Sequence, residues 1–211
     1  MNKFPNDLLT GYSAFRNGSF AIEQQRYFDL AEHGQTPATL LIACCDSRVS
    51  PEVIFQTKPG ELFVIRNVAN LVPPHKPDNE CHSTSAALEY AVSVLKVQNI
   101  VVMGHGGCGG IAAAIDAQLN GAIGGEFIDH WIELLKPSIT GTLSHKDLAG
   151  AKLQSHAEKD SIIRSIENLR TFPIVTEAEK SGAITLHGAW FEVKSGELSI
   201  LDRDSGKFIE P

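Results

Sequence analysis

Apolar positions recur along this chain on two different periods, and the change from one to the other divides it. Leu8, Leu9, Tyr12 and Phe15 fall on one face at helical spacing. Gly18 interrupts them before a second helical stretch over 20–31, so residues 6–33 read as a helical arm. After a turn at His33-Gly34-Gln35-Thr36-Pro37, residues 38–43 form a mainly apolar run, the pattern of a parallel strand buried on both faces. Two more such runs follow at 61–65 and 99–103. A short helix over 49–55, with Ser50 as N-cap and Pro51 at its first position, and a turn at Pro59-Gly60 separate the first two. An extended loop marked by Pro73, Pro74 and Pro77 precedes a helix opened by Ser83 or Ser85, whose Leu88, Ala91, Val92 and Leu95 share a buried face.

Ile111, Ile115 and Leu119 continue the last of these runs as a helix, and 121–125 break it. Residues 127–135 read as a helix that stops before Pro137, and 138–152 carry no clear period. A helix over 155–169 turns Ile162, Ile163, Ile166 and Leu169 inward. Strands follow over 183–187, 189–193 and 197–202. Gly188 separates the first two, and Lys194-Ser195-Gly196 joins the last two as a hairpin. Strands alternating with helices predict an α/β fold with a mostly parallel central sheet of about four strands. An N-terminal helical arm (1–34) and a C-terminal strand or hairpin extension complete one domain, with 35–211 as its core.

Composition narrows the function classes. A net charge of −7 over 211 residues argues against nucleic acid, which needs clustered Lys and Arg. No apolar run reaches the length of a membrane span, and the first residues lack a signal peptide's apolar core, so a cytoplasmic protein is expected. In that setting the four cysteines, Cys44, Cys45, Cys81 and Cys108, point to metal binding or burial rather than a disulfide framework.

Two of those cysteines stand at predicted strand ends. Cys44-Cys45-Asp46-Ser47-Arg48 follows the first strand, and Gly104-His105-Gly106-Gly107-Cys108-Gly109-Gly110 follows the third. Parallel strands bring their C-terminal ends to one sheet edge, where α/β proteins build their sites. Cys44, His105 and Cys108 together make a zinc ligand set with a fourth position left over. Two readings of that position remain. If Asp46 fills it, the zinc is closed and structural. If Arg48 holds Asp46 through paired hydrogen bonds, water takes the position and Asp46 acts as an acceptor beside it.

Cys44-x-Asp46-Ser47-Arg48 followed by His105-x-x-Cys108 resembles the paired signature of the β-class carbonic anhydrases, and the likeness runs over 35–111 through Arg66-Asn67-Val68-Ala69-Asn70 and 86–92. The resemblance implies reversible hydration of carbon dioxide to bicarbonate and a proton by zinc-bound hydroxide, with one Zn2+ per subunit. It implies Cys44, His105 and Cys108 as metal ligands and Asp46 and Arg48 as the catalytic pair, with Asp46 becoming a fourth ligand in a closed state. It also implies a substrate pocket of Gln35, Phe63, Val68, Tyr90 and Gly106, and a homodimer or tetramer joined through the N-terminal helices. The arm's own pattern fits packing on its own core equally well. One branch of that family closes its site through a Trp three residues before the first Cys; Leu41 stands there, implying a site without that switch. His75 and His82 are candidate proton carriers at the site mouth. Three rivals remain: a non-catalytic zinc protein, a nucleotide-binding domain suggested by the G-x-G-x-x-G spacing over 104–109, and a hydrolase of carbonyl sulfide or carbon disulfide.

Overall fold

A computed structural model describes residues 4–78, 80–121 and 124–211. Three helices open the chain, α1 (Asn6–Asn17), α2 (Ser19–Ile22) and α3 (Gln24–His33), and lead into β1 (Thr39–Cys44). The order continues with α4 (Pro51–Ile54), β2 (Leu62–Asn67) and α5 (Ser83–Tyr90), which runs on as a wide π-helical turn over Ala91–Leu95. Then come β3 (Asn99–His105), α6 (Gly109–Asn120), α7 (Ile128–Ile132), α8 (Lys136–Leu143), α9 (Gly150–Leu169) and α10 (Pro173–Lys180). The chain closes with β4 (Thr185–Phe191), β5 (Leu198–Leu201) and β6 (Phe208–Ile209).

The six strands form one sheet in the order β2-β1-β3-β4-β5-β6. The first four are parallel and the last two antiparallel, as the alternating pattern and the hairpin predict. One face carries the main core, where Leu40, Ile42, Ile100, Val102 and Leu186 meet Leu88 of α5 and Ile162, Ile166 and Leu169 of α9. The other face is thinner: Leu41, Ala43, Met103 and Ala189 are flanked by only partly buried Ile54, Leu62, Val101 and Leu198. Among the described residues no helix is long and apolar enough to cross a membrane.

The structure corrects the pattern in several places. Gly188 does not divide two strands; it lies inside β4 because α9 and β5 crowd against it. A Cβ there would stand 3.0 Å from both Ile162 and Leu201. Pro137 does not stop a helix but sits in the first turn of α8, where its missing N–H costs nothing. The stretch 138–152 therefore holds most of α8 and the start of α9. Neither α10 nor the short β6 was expected. Ser50 precedes α4 as predicted, but its hydroxyl donates to Glu52 Oε2 at 3.0 Å rather than capping the helix. Of the break at 121–125, residues 122 and 123 lie outside the described set.

The arm does not lie on its own core. Among the described residues, the polar contacts that tie the arm down come from α3 and its N-cap: Arg26 donates to the Pro59 carbonyl at 2.7 Å and pairs with Glu61 at 3.1 Å, and Lys58 pairs with Glu23 at 3.1 Å. The rings of Phe15, Phe20 and Tyr27 hold the three helices together at 5.1–5.9 Å. No residue of α1 is buried, and Leu8 and Tyr12 are about 60% exposed.

Candidate metal centre

Because β1 and β3 are parallel neighbours in register, their C-terminal ends deliver Cys44 and His105 side by side. Cys108 follows three residues later, immediately before α6. The three ligand atoms lie within 4.8 Å of one another and all three residues are buried. The two sulfurs are 3.9 Å apart, close to the ~3.8 Å that two 2.3 Å bonds at a tetrahedral angle require.

The donor set fits zinc on a second observation. His105 Nδ1 faces the Gly106 carbonyl at 3.0 Å. A carbonyl only accepts, so Nδ1 carries the hydrogen and Nε2 presents its lone pair. That Nε2 is buried and has no hydrogen-bond partner. It faces the space beside the two sulfurs, and an unpaired polar atom so deep is costly unless something binds it.

One of the two sulfurs is prepared as an anion. The Cys108 thiol beside it, with the N–H groups of Asp46 and Ala69, holds the Cys44 thiol down against its burial. The same contact, together with burial, pushes Cys108 up, while the N–H groups of Gly110 and Ile111 pull it back. Two thiols this close share one proton, which a metal ion displaces. Ala69 presents its N–H from a backbone in the left-handed region, φ 62°, followed by Asn70 at φ 49°.

Asp46 stands beside the ligand atoms and is gripped by Arg48. Arg48 donates from Nε to Oδ1 at 2.9 Å and from Nη2 to Oδ2 at 2.7 Å, and its backbone N–H adds a third bond to Oδ1 at 3.0 Å. These bonds hold the Asp46 carboxyl well below the usual carboxylate range. Its Oδ2 stands 3.9 Å from His105 Nε2, adjacent to the metal position. Arg48 Nη2 also donates to the Gly107 carbonyl at 3.0 Å, joining the two ligand loops.

Two further charged residues hold this geometry, and neither was given a role on sequence grounds. Arg66 donates to the carbonyls of Cys44 at 2.9 Å, Asp46 at 2.7 Å and Val49 at 2.8 Å, fixing the first ligand loop. Its partners are main-chain oxygens on another strand end, which leave no side-chain signature in the sequence. Glu158 of α9 reaches the backbone of Cys108 from behind.

The expected substrate residues divide into two groups. Val68 lies at the cluster's rim, its Cγ1 only 2.8 Å from where a Gly110 Cβ would stand. Gly106 is there too, but its N–H is spent on the Phe191 carbonyl at 2.9 Å, so it offers no donor to a substrate. Gln35, Phe63 and Tyr90 are elsewhere. Gln35 is exposed before β1, at the end of that strand remote from Cys44. Phe63 pairs with Leu40, four positions before Asn67 pairs with Cys44, or about 13 Å along the sheet. Tyr90 stacks beside Phe63 at 5.9 Å. His75 and His82 line a separate cleft of about 660 Å3 against Phe172 and Pro173, not the mouth of the cluster.

A family model described as carbonic anhydrase matches residues 39–198. The chain is 36% identical to a carbonic anhydrase of Pseudomonas aeruginosa over 96% of this chain and 90% of that one. It is also 36% identical to beta carbonic anhydrase 3 of Arabidopsis thaliana, over 93% and 76% of the two chains. Among solved structures, the beta-carbonic anhydrase CcaA superposes with a TM-score of 0.89 at 30% identity, covering 98% of each chain. A tetrameric beta-carbonic anhydrase of Sordaria macrospora superposes with a TM-score of 0.72 at 33% identity, over 93% of this chain and 92% of that one. With its signature residues gathered into one buried Cys-His-Cys cluster, the chain belongs to the β-class carbonic anhydrases, lyases that hydrate carbon dioxide.

Proposed function

We propose that Cys44, His105 and Cys108 hold one zinc ion per subunit and that the site works open, with Asp46 as hydrogen-bond acceptor rather than ligand. The observation that carries this is the pair of hydrogen bonds from Arg48, one donated to each Asp46 oxygen beside the metal position. Zinc held there supplies a Lewis acid that lowers the pKa of a coordinated water to about 7. Asp46, ionised and unable to donate, takes a hydrogen bond from the attacking oxygen and so turns its lone pair toward the carbon of carbon dioxide. Carbon dioxide and water become bicarbonate and a proton, and the proton passes to buffer.

The pocket wall needs a second copy of the chain. Gln35, Phe63 and Tyr90 lie too far along the sheet to reach their own cluster, yet Tyr90 is exposed and the arm beside them has an unpartnered apolar face. A homodimer closed through the arm brings Phe63 and Tyr90 of the partner subunit against Val68, making a dry slot for carbon dioxide, and the partner's Gln35 within reach of bicarbonate. Two such dimers could pair further into a tetramer, the state of the Sordaria enzymes. A reducing compartment such as the cytoplasm suits two thiolate ligands 3.9 Å apart, which an oxidising one would join.

The test is stopped-flow hydration of carbon dioxide by zinc-loaded protein from about pH 6.5 to 9. An Asp46 carboxyl held far below this window stays ionised and paired throughout it, so turnover should rise smoothly through one ionisation near 7. Activity that appears abruptly near pH 8 would show Asp46 occupying the metal and overturn the open site.

A further inference from the structure

Glu158 is 2% exposed and takes no part in the chemistry above. A carboxylate that deep persists only where donors surround it. Three do. The Cys108 N–H donates to Oε1 at 2.9 Å, Gln154 Nε2 donates to the same oxygen at 3.1 Å, and Trp190 Nε1 donates to Oε2 at 3.1 Å. Burial pushes its carboxyl up, and the three N–H donors oppose that. Gln154, one turn earlier on α9, also donates to the Cys108 carbonyl at 3.2 Å. Both backbone polar groups of Cys108 are thus gripped by one helix some fifty residues away.

The segment they grip needs holding. Gly106 and Gly107 precede Cys108, Gly109 and Gly110 follow it, and Gly107 is in the left-handed region at φ 67°. Glycines bracket the ligand with the most mobile backbone available, so local sequence alone leaves the Cys108 sulfur loosely placed. We infer that Glu158, assisted by Gln154, is a positioning residue for metal binding: it fixes Cys108 against Cys44 and His105 and so sets the affinity of the site. This rests on the zinc reading above. Trp190 completes the device from β4, with the Lys159 ammonium lying 4.2 Å over its ring and sharpening the indole N–H as a donor.

The experiment measures zinc dissociation constants by competition with a chromophoric chelator, and the visible spectrum of the cobalt-substituted protein, for wild type, Glu158→Met, Gln154→Ala and Trp190→Phe. Met at 158 keeps the length of the side chain but offers no oxygen to the Cys108 N–H, so that contact must break. Zinc binding in Glu158→Met should weaken about ten- to a hundredfold, with an altered cobalt–thiolate band; Gln154→Ala should weaken it less. Trp190→Phe, which removes a donor to Glu158 without touching Cys108, should lower the melting temperature yet hold zinc within about twofold of wild type. A Glu158→Met protein that binds zinc as tightly as wild type overturns the inference. So does a Trp190→Phe protein that loses as much affinity as Glu158→Met, because the effect then belongs to core packing. Wild type that binds no zinc would overturn the zinc reading, and this inference with it.

Discussion

Asp46 is asked to do two incompatible things, and one neighbour decides between them. Beside two thiolates and an imidazole its carboxylate is a natural fourth ligand; held by the Arg48 fork at 2.9 and 2.7 Å it is an acceptor instead. Asp46→Asn leaves all three ligands in place but puts a donor where the acceptor was needed. It should retain full zinc by atomic absorption while kcat/KM for hydration falls by about a hundredfold or more. A variant with normal turnover would remove Asp46 from the mechanism. At this scale the sequence was readable wherever a role depends on residues close together on the chain. Asp46, Arg48, His105 and Cys108 sit in two short motifs after strands, so spacing brought them together as candidates and the family resemblance chose between the readings that spacing left open. Arg66 and Glu158 were not readable as functional residues, since what they hold is main chain 17 to 50 positions away. A charged residue on a predicted inward helix face was the only signal for Glu158, and α9 was read for its isoleucines instead.

At the scale of elements, the apolar strands and the helices with one buried face were legible, and β1 and β3 fall within a residue or two of the runs that predicted them. Gly188 and Pro137 misled for the same physical reason. Each is a breaker in isolation, and each is accommodated by a partner invisible along the chain: α9 packing against a bare Cα, and a helix start that has no use for an N–H. The unexpected α10 depends on tertiary contacts as well. Its Glu179 accepts two bonds from Arg170, just beyond α9, at 2.8 and 2.9 Å, and one at 2.9 Å from Arg203 in the turn after β5. These pairs, Arg170 first, lower the Glu179 pKa. A lowered carboxyl stabilises the fold above its ordinary value near 4.3 and loses that contribution as pH falls through the folded value. Both guanidinium groups are about half exposed, so solvent screening limits the effect to on the order of 1 kcal/mol. Glu179→Gln should therefore melt about 2–4 °C below wild type at pH 7, and the gap should narrow below about pH 4. Equal melting temperatures at pH 7 would show the network to be solvated and idle.

The proposed dimer makes the whole molecule incomplete as one copy. The apolar face of α1 is exposed, Tyr90 is about half exposed, and Gln35 and Phe63 lie toward the end of the sheet where α3 leads into β1 rather than at the metal. In the proposed arrangement a second copy related by a twofold axis covers the α1 face and brings these residues to the metal. On that reading the ligands come from one chain and the pocket wall from another, two properties that a monomeric enzyme would keep joined. Leu8→Asp with Tyr12→Asp places two charges on the exposed face of α1 without touching any ligand. Sedimentation should show the double variant dissociating at concentrations where wild type remains associated. Zinc should stay at one per chain, while kcat/KM falls at least about tenfold because the dry slot has lost one wall and water competes within it. Raising the protein concentration should restore specific activity in step with reassociation, which damage to the fold would not do. A dissociated variant with full activity per chain would place the whole pocket within one subunit and return Gln35, Phe63 and Tyr90 to purely structural roles.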